Sequence, residues 1–220
     1  MPFDGLFAAA VRRQLNDVLV GARIDKIYQP SPYTIVLHCH MPGDNVRLLL
    51  SADPHHARVH LTRISLINPL QAPAFCMLLR KYLDPGKIVA VEQVGLDRIL
   101  HIVIDGYDES GNPARRRLIA ELTGRNSNLV LVDDSSGRII DAIRRASARV
   151  NRYRAVLPGE EYVPPPATDK LEPRSVSATA LAAKAVASDE ETLSRFLVRT
   201  VDGLSPLAAQ HVAATARLQP

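Results

Sequence analysis

Apolar residues recur at every fourth position at the start of the chain (Phe3, Phe7, Val11, Leu15, Leu19), which predicts a helix closed by Gly21 with Asp4 in its first turn. The pattern then shortens to β-branched runs at 22–28, 33–39, 46–52 and 57–62, separated by turn signals such as Met41-Pro42-Gly43-Asp44-Asn45. A second helix is predicted at 72–83, with Phe75, Leu78, Leu79 and Tyr82 on one face and Asp84-Pro85-Gly86 as its stop. Further strands follow at 87–94, 99–104, 115–122, 128–132 and 138–143, with turn signals between them. Strands at intervals of about ten residues predict an antiparallel sandwich or barrel and an α+β fold.

Near Arg154 the pattern breaks. Five prolines between 157 and 175 (Pro158, Pro164, Pro165, Pro166, Pro173) read as an extended linker over a surface. Alanine-rich helices then follow at 176–187, at 189–201 from a Ser188 cap, and at 206–217 from a Ser205 cap with Pro206 as its first residue. The expected organisation is therefore a sheet domain at 1–156, a linker at 157–175 and a small all-α domain at 176–220. The ending at Leu218-Gln219-Pro220 has no obvious finish, so a longer natural protein is expected.

Composition adds three constraints. At 46% hydrophobic and 23% charged residues the chain is an ordinary globular one rather than a disordered one. It has no apolar run near the ~20 residues of a membrane span, and its first twenty residues carry Asp4, Arg12, Arg13 and Asp17, unlike a signal peptide. Two cysteines, Cys39 and Cys76, suit neither a disulfide framework nor a zinc quartet, and a cytoplasmic location is expected. The net charge of +4 is uneven: ten arginines face four acids between 112 and 154, a candidate phosphate-binding footprint or a solvated basic face.

Candidate chemistry is sparse. His38 and His40 share one face of a strand, but with His55, His56 and His60 they match no zinc spacing, so neither metal nor cofactor is expected. Cys76 falls on the apolar side of a helix, as an inert core thiol does. Asp97-Arg98 joins two apolar strands. Neighbours in an extended chain point to opposite faces, so the pair is either a plain hairpin turn or a polar pair shown at the sheet rim. Residues 121–129 are dense in donors, including Arg125 and Ser127 beside Gly124, which favours a ligand. The joint Gly203-Leu204-Ser205-Pro206 is either a helix connection or a helix start offering amides to a phosphate.

Residues 1–6 (MPFDGL), 22–30 (ARIDKIYQP), 73–83 (PAFCMLLRKYL), 95–99 (GLDRI), 121–128 (ELTGRNSN) and 157–166 (LPGEEYVPPP) together resemble the amino-terminal NFACT domain, over nearly the whole chain. This is the family of bacterial RqcH and eukaryotic NEMF, whose bacterial members were often labelled fibronectin-binding protein A. The resemblance implies a first domain similar to the β-sandwich of formamidopyrimidine-DNA glycosylase, followed by a helix–two-turn–helix domain. It implies a role in ribosome-associated quality control: binding the large ribosomal subunit that carries a stalled peptidyl-tRNA, and recruiting tRNA (alanyl-tRNA in bacteria) for mRNA-independent tailing of the nascent chain. The peptide bond would be made by the ribosome, so no enzyme activity is expected. By motif the resemblance carries RNA-handling roles to Asp4, Asp97 and Arg98, and places Glu121, Arg125, Gly203 and Ser205 in further family motifs or joints. Asn126 stands where the family often has histidine. A glycosylase reading would need Pro2 as an amine nucleophile, yet Phe3 stands where its acidic partner belongs. A surface adhesin would need a secretion signal.

Overall fold

Asp4 accepts the Phe7 amide hydrogen at 2.8 Å, so it caps α1 (Gly5–Leu19) from just outside the helix rather than sitting in its first turn. The computed structural model describes residues 3–149, 153–166, 169–189 and 192–217. Ala8, Val11, Leu15 and Leu19 form the buried stripe of α1, while Phe7 remains exposed. Four strands follow: β1 (Arg23–Ser31), β2 (Thr34–Met41), β3 (Asp44–Ser51) and β4 (Arg58–Thr62). After α2 (Ala74–Leu83) come β5 (Gly86–Gln93), β6 (Ile99–Tyr107), β7 (Pro113–Glu121), β8 (Asn128–Asp133) and β9 (Ile139–Ala142).

The strands form one antiparallel sheet in the order β4-β3-β2-β1-β5-β6-β7-β8-β9. Its ends do not pair, so the expected barrel is instead an open sheet within the α+β class. Consecutive hairpins grow outward on each side of β1 and β5, which meet only through Arg23 with Lys87 and Ile24 with Gly86. Helix α1 touches β4, β5 and β6, and α2 touches β1, β6 and β9. Laid flat, β4 and β6 would lie five strand spacings apart, about 24 Å, roughly twice the diameter of a helix. The sheet must therefore curl around both helices. One core results, taking Ile24, Leu37 and Leu50 from one half and Ile102, Leu118 and Leu131 from the other. The expected sandwich of two sheets is thus a single curled one.

The second half is covered outside as well. Ile99, Ile119, Val130, Val132 and Ile139 pack under Val156 and Tyr162, which explains why β8 is apolar on both faces. Beyond it, α3 (Ala178–Val186), α4 (Leu193–Thr200) and α5 (Pro206–Arg217) follow. Helix α4 starts after a Thr192 cap, not a Ser188 cap, because its apolar period begins only at Leu193. Phe196, Leu197, Val201 and Ala209 bury against one another between α4 and α5. Leu171 ties the preceding segment to α4, donating to Thr200 O at 2.7 Å and accepting from the Asp202 amide at 2.9 Å.

Candidate functional site

Three stretches of backbone converge beside Asp4. Gly5 opens α1, Leu96 lies in the turn between β5 and β6, and Gly203 holds φ +75° between α4 and α5. A Cβ on Gly5 would fall 1.8 Å from the Leu96 carbonyl oxygen, and one on Gly203 2.9 Å from the Leu96 Cβ. Only glycine fits such an approach. The Leu6 amide donates to Gly203 O at 3.2 Å, fastening the helical joint to α1.

The turn that carries Asp97 and Arg98 is fixed from several sides. Asp97 N–H donates to Val94 O at 2.9 Å, Arg98 N–H donates to Asp97 Oδ1 at 3.0 Å, and Leu122 N–H donates to Arg98 O at 2.8 Å. The Gln93 side-chain amide donates to Asp97 O at 2.8 Å and to Gly5 O at 3.0 Å. The pair is thus a hairpin turn, and it is also displayed at a rim: both side chains are half-buried at a cleft of about 1020 Å³.

Asp4, Asp97, Arg98, Gly203 and Ser205 all line that cleft, although they come from distant parts of the chain. The same cleft is also lined by His55, His56 and His60, histidines that match no zinc spacing, and by Arg58. Among the described residues no group of three metal-ligating side chains forms. Arg58, Arg98 and Lys170 balance Asp4, Asp97 and Asp202, so the cleft offers donors and acceptors side by side rather than a cationic field. Burial, then the Arg58 charge, lowers the pKa of His60 and favours its neutral ring. Such a lining suits ligands read by base edge, ribose hydroxyl and phosphate together.

Ser205 serves the fold. Its buried hydroxyl accepts the Ala208 amide hydrogen at 3.2 Å, its carbonyl accepts that of Ala209 at 2.9 Å, and Pro206 has no N–H. Gly203 N–H is engaged by Asp202 Oδ1 at 2.9 Å. A phosphate seat at the start of α5 therefore has few amides left, and the joint acts chiefly as a wall of the cleft.

Glu121 and Arg125 lie outside the cleft. Arg125 is exposed on the 3-10 turn Gly124–Asn126. Glu121 is not exposed at all; it accepts from both terminal guanidinium nitrogens of Arg154 at 2.5 and 2.7 Å and from the Tyr162 hydroxyl at 2.9 Å. The arginine-rich stretch is likewise mostly engaged. Arg115 binds Asp105, its cross-strand partner, at 2.6 and 3.0 Å; Arg117 binds Asp134, and Arg145 binds Asp141. Arg116 donates to Tyr82 O at 3.1 Å, Arg138 to Gly159 O at 2.6 Å and Arg144 to Arg125 O at 2.8 Å. The charge count along the chain was blind to strand register: among the described residues of the stretch, Arg115, Arg117 and Arg145 hold carboxylates, while Arg116, Arg138 and Arg144 bond carbonyls and keep their charge.

Residues 4–220 match the model of a family described as NFACT N-terminal and middle domains. The chain belongs to that family. One NFACT relative, the Rqc2 homolog RqcH of Bacillus subtilis (strain 168), is 40% identical over 210 residues, covering 96% of this chain and 37% of that protein. The human ribosome quality control complex subunit NEMF is 31% identical over 131 residues, covering 60% of this chain and 11% of NEMF. The chain thus spans little more than a third of its Bacillus relative. The crystal structure of the N-terminal domain of fibronectin-binding protein PavA from Streptococcus pneumoniae superposes with a TM-score of 0.91 at 34% identity, covering 99% of this chain and 81% of that one. The NFACT fold is therefore shared along the full length of the sheet and helical joint.

Proposed function

We propose that this NFACT chain is the RNA-handling part of a ribosome quality-control factor. In this reading it binds the obstructed large ribosomal subunit and recruits tRNA, alanyl-tRNA in a bacterium, for mRNA-independent tailing of stalled nascent chains. The observation that carries it is the convergence of Asp4 with Asp97 and Arg98 in one cleft. The names of the relatives supply the setting. The protein's work is to hold RNA in place while the ribosome forms the bond, so no covalent step is assigned to the chain. Pro2, the nucleophile of a glycosylase reading, lies outside the described residues.

The test is purification of the full-length protein from cells, followed by sequencing of bound RNA. Large-subunit rRNA and tRNA are expected to be enriched; failure to enrich either refutes the reading. Arg98→Ala removes a charged donor and lowers tRNA recovery by about tenfold or more. Asp4→Asn retains an N-cap oxygen, so it is expected to keep α1 intact while reducing tRNA recovery. Fractionation checks the adhesin alternative suggested by the name of the streptococcal structure, which predicts a surface pool.

A further inference from the structure

We propose that Gln93 is a positioning residue for the cleft, setting the spacing between Asp4 and the Asp97–Arg98 turn. This rests on the cleft being the tRNA site. Gln93 is the last residue of β5, and its carboxamide carries two hydrogens. One goes to Gly5 O at 3.0 Å, the residue after Asp4; the other goes to Asp97 O at 2.8 Å, the residue before Arg98. A single side chain thus joins the two backbones that display the functional groups.

The two hydrogen bonds run to backbone that is 92 positions apart in the chain, Gly5 and Asp97. Other ties there are Gly5 against the Leu96 carbonyl, Asp97 N–H on Val94 O, Arg98 N–H on Asp97 Oδ1 and Leu122 N–H on Arg98 O. Those contacts set how close the helix and turn come. The Gln93 bridge adds a side-chain tie between the first residue of α1 and the carbonyl that precedes Arg98. Glutamate at this position would present oxygens to two carbonyls, leucine would leave both carbonyls unbridged, and asparagine would fall one methylene short.

The experiment is a double-mutant cycle on the full-length protein, measuring affinity for deacylated tRNA below the thermal midpoint of every variant. Gln93→Leu is expected to weaken binding about tenfold, because small displacements of positioned groups are amplified. In an Arg98→Ala background the same change is expected to add almost nothing, since Gln93 acts through the turn. Gln93→Asn runs in parallel, so that a folding defect in the leucine variant does not end the test. Additive losses overturn the proposal, because general destabilisation would be felt equally in both backgrounds. Normal binding by a folded Gln93→Leu or Gln93→Asn protein overturns it too while leaving the cleft reading intact. Normal binding by Arg98→Ala instead sinks the cleft reading itself.

Discussion

Glu121 and Arg154 form an ion pair that water hardly reaches, with side chains 0% and 7% exposed. Burial opposes the Arg154 charge, but Glu121 outweighs it and holds the guanidinium's pKa above its ordinary value. Burial, then the carboxylate's charge, pushes the Tyr162 phenol up. Arg154→Ala leaves a carboxylate buried without its counter-ion, and urea denaturation is expected to show a loss of about 3–5 kcal/mol. Replacing both partners, as Glu121→Leu with Arg154→Met, is expected to restore much of it, since no charge is then stranded. At this scale the sequence was half legible. Asp4, Asp97 and Arg98 stood out because short motifs carry them. Glu121 was read as part of a polar, donor-rich stretch, and its burial was not legible because its partner is thirty-three positions away. Gln93 gave no signal, for a lone glutamine at a strand end has no local pattern.

Among the elements, hairpins are the local part of the fold and their joints the non-local part. Strand and helix positions followed from period-two and period-four spacing and from turn residues, mostly to within a few residues. The sheet's curl did not, because it depends on α1 and α2 bridging strands far apart in the order. The helical joint offers a direct measure of such tertiary cost. Gly21 and Gly203 both have positive φ, +91° and +75°, but a Cβ meets nothing within 4 Å at Gly21 and meets Leu96 at 2.9 Å at Gly203. Gly21→Ala is expected to cost about 1 kcal/mol of backbone strain alone. Gly203→Ala adds overpacking of ~1–3 kcal/mol. Thermal melts are expected to rank them in that order, with Gly203→Ala lowering tRNA affinity as well.

For the molecule as a whole, pH reports the buried imidazoles. His101 is buried with no partner on Nε2, and burial, then Arg117, lowers its pKa. His60 and His38 are lowered too, burial leading in each. Below the ordinary histidine value near 6.5 the unfolded chain binds protons that the folded chain refuses. Stability is therefore complete above that value and is lost as pH falls from it toward the folded values. Thermal midpoints are expected to drop between pH 7 and 5, and His101→Phe is expected to flatten the profile. A flat profile in the unaltered protein would remove this source of acid sensitivity. The junction of Gly5, Leu96 and Gly203 has a different consequence, one of timing. Synthesis delivers Gly5 first, Leu96 after β5 and Gly203 only after α4. A nascent copy can curl its sheet early, yet the wall beside Asp4 closes only once Gly203 arrives, so the cleft is among the last features of this region to be completed during translation.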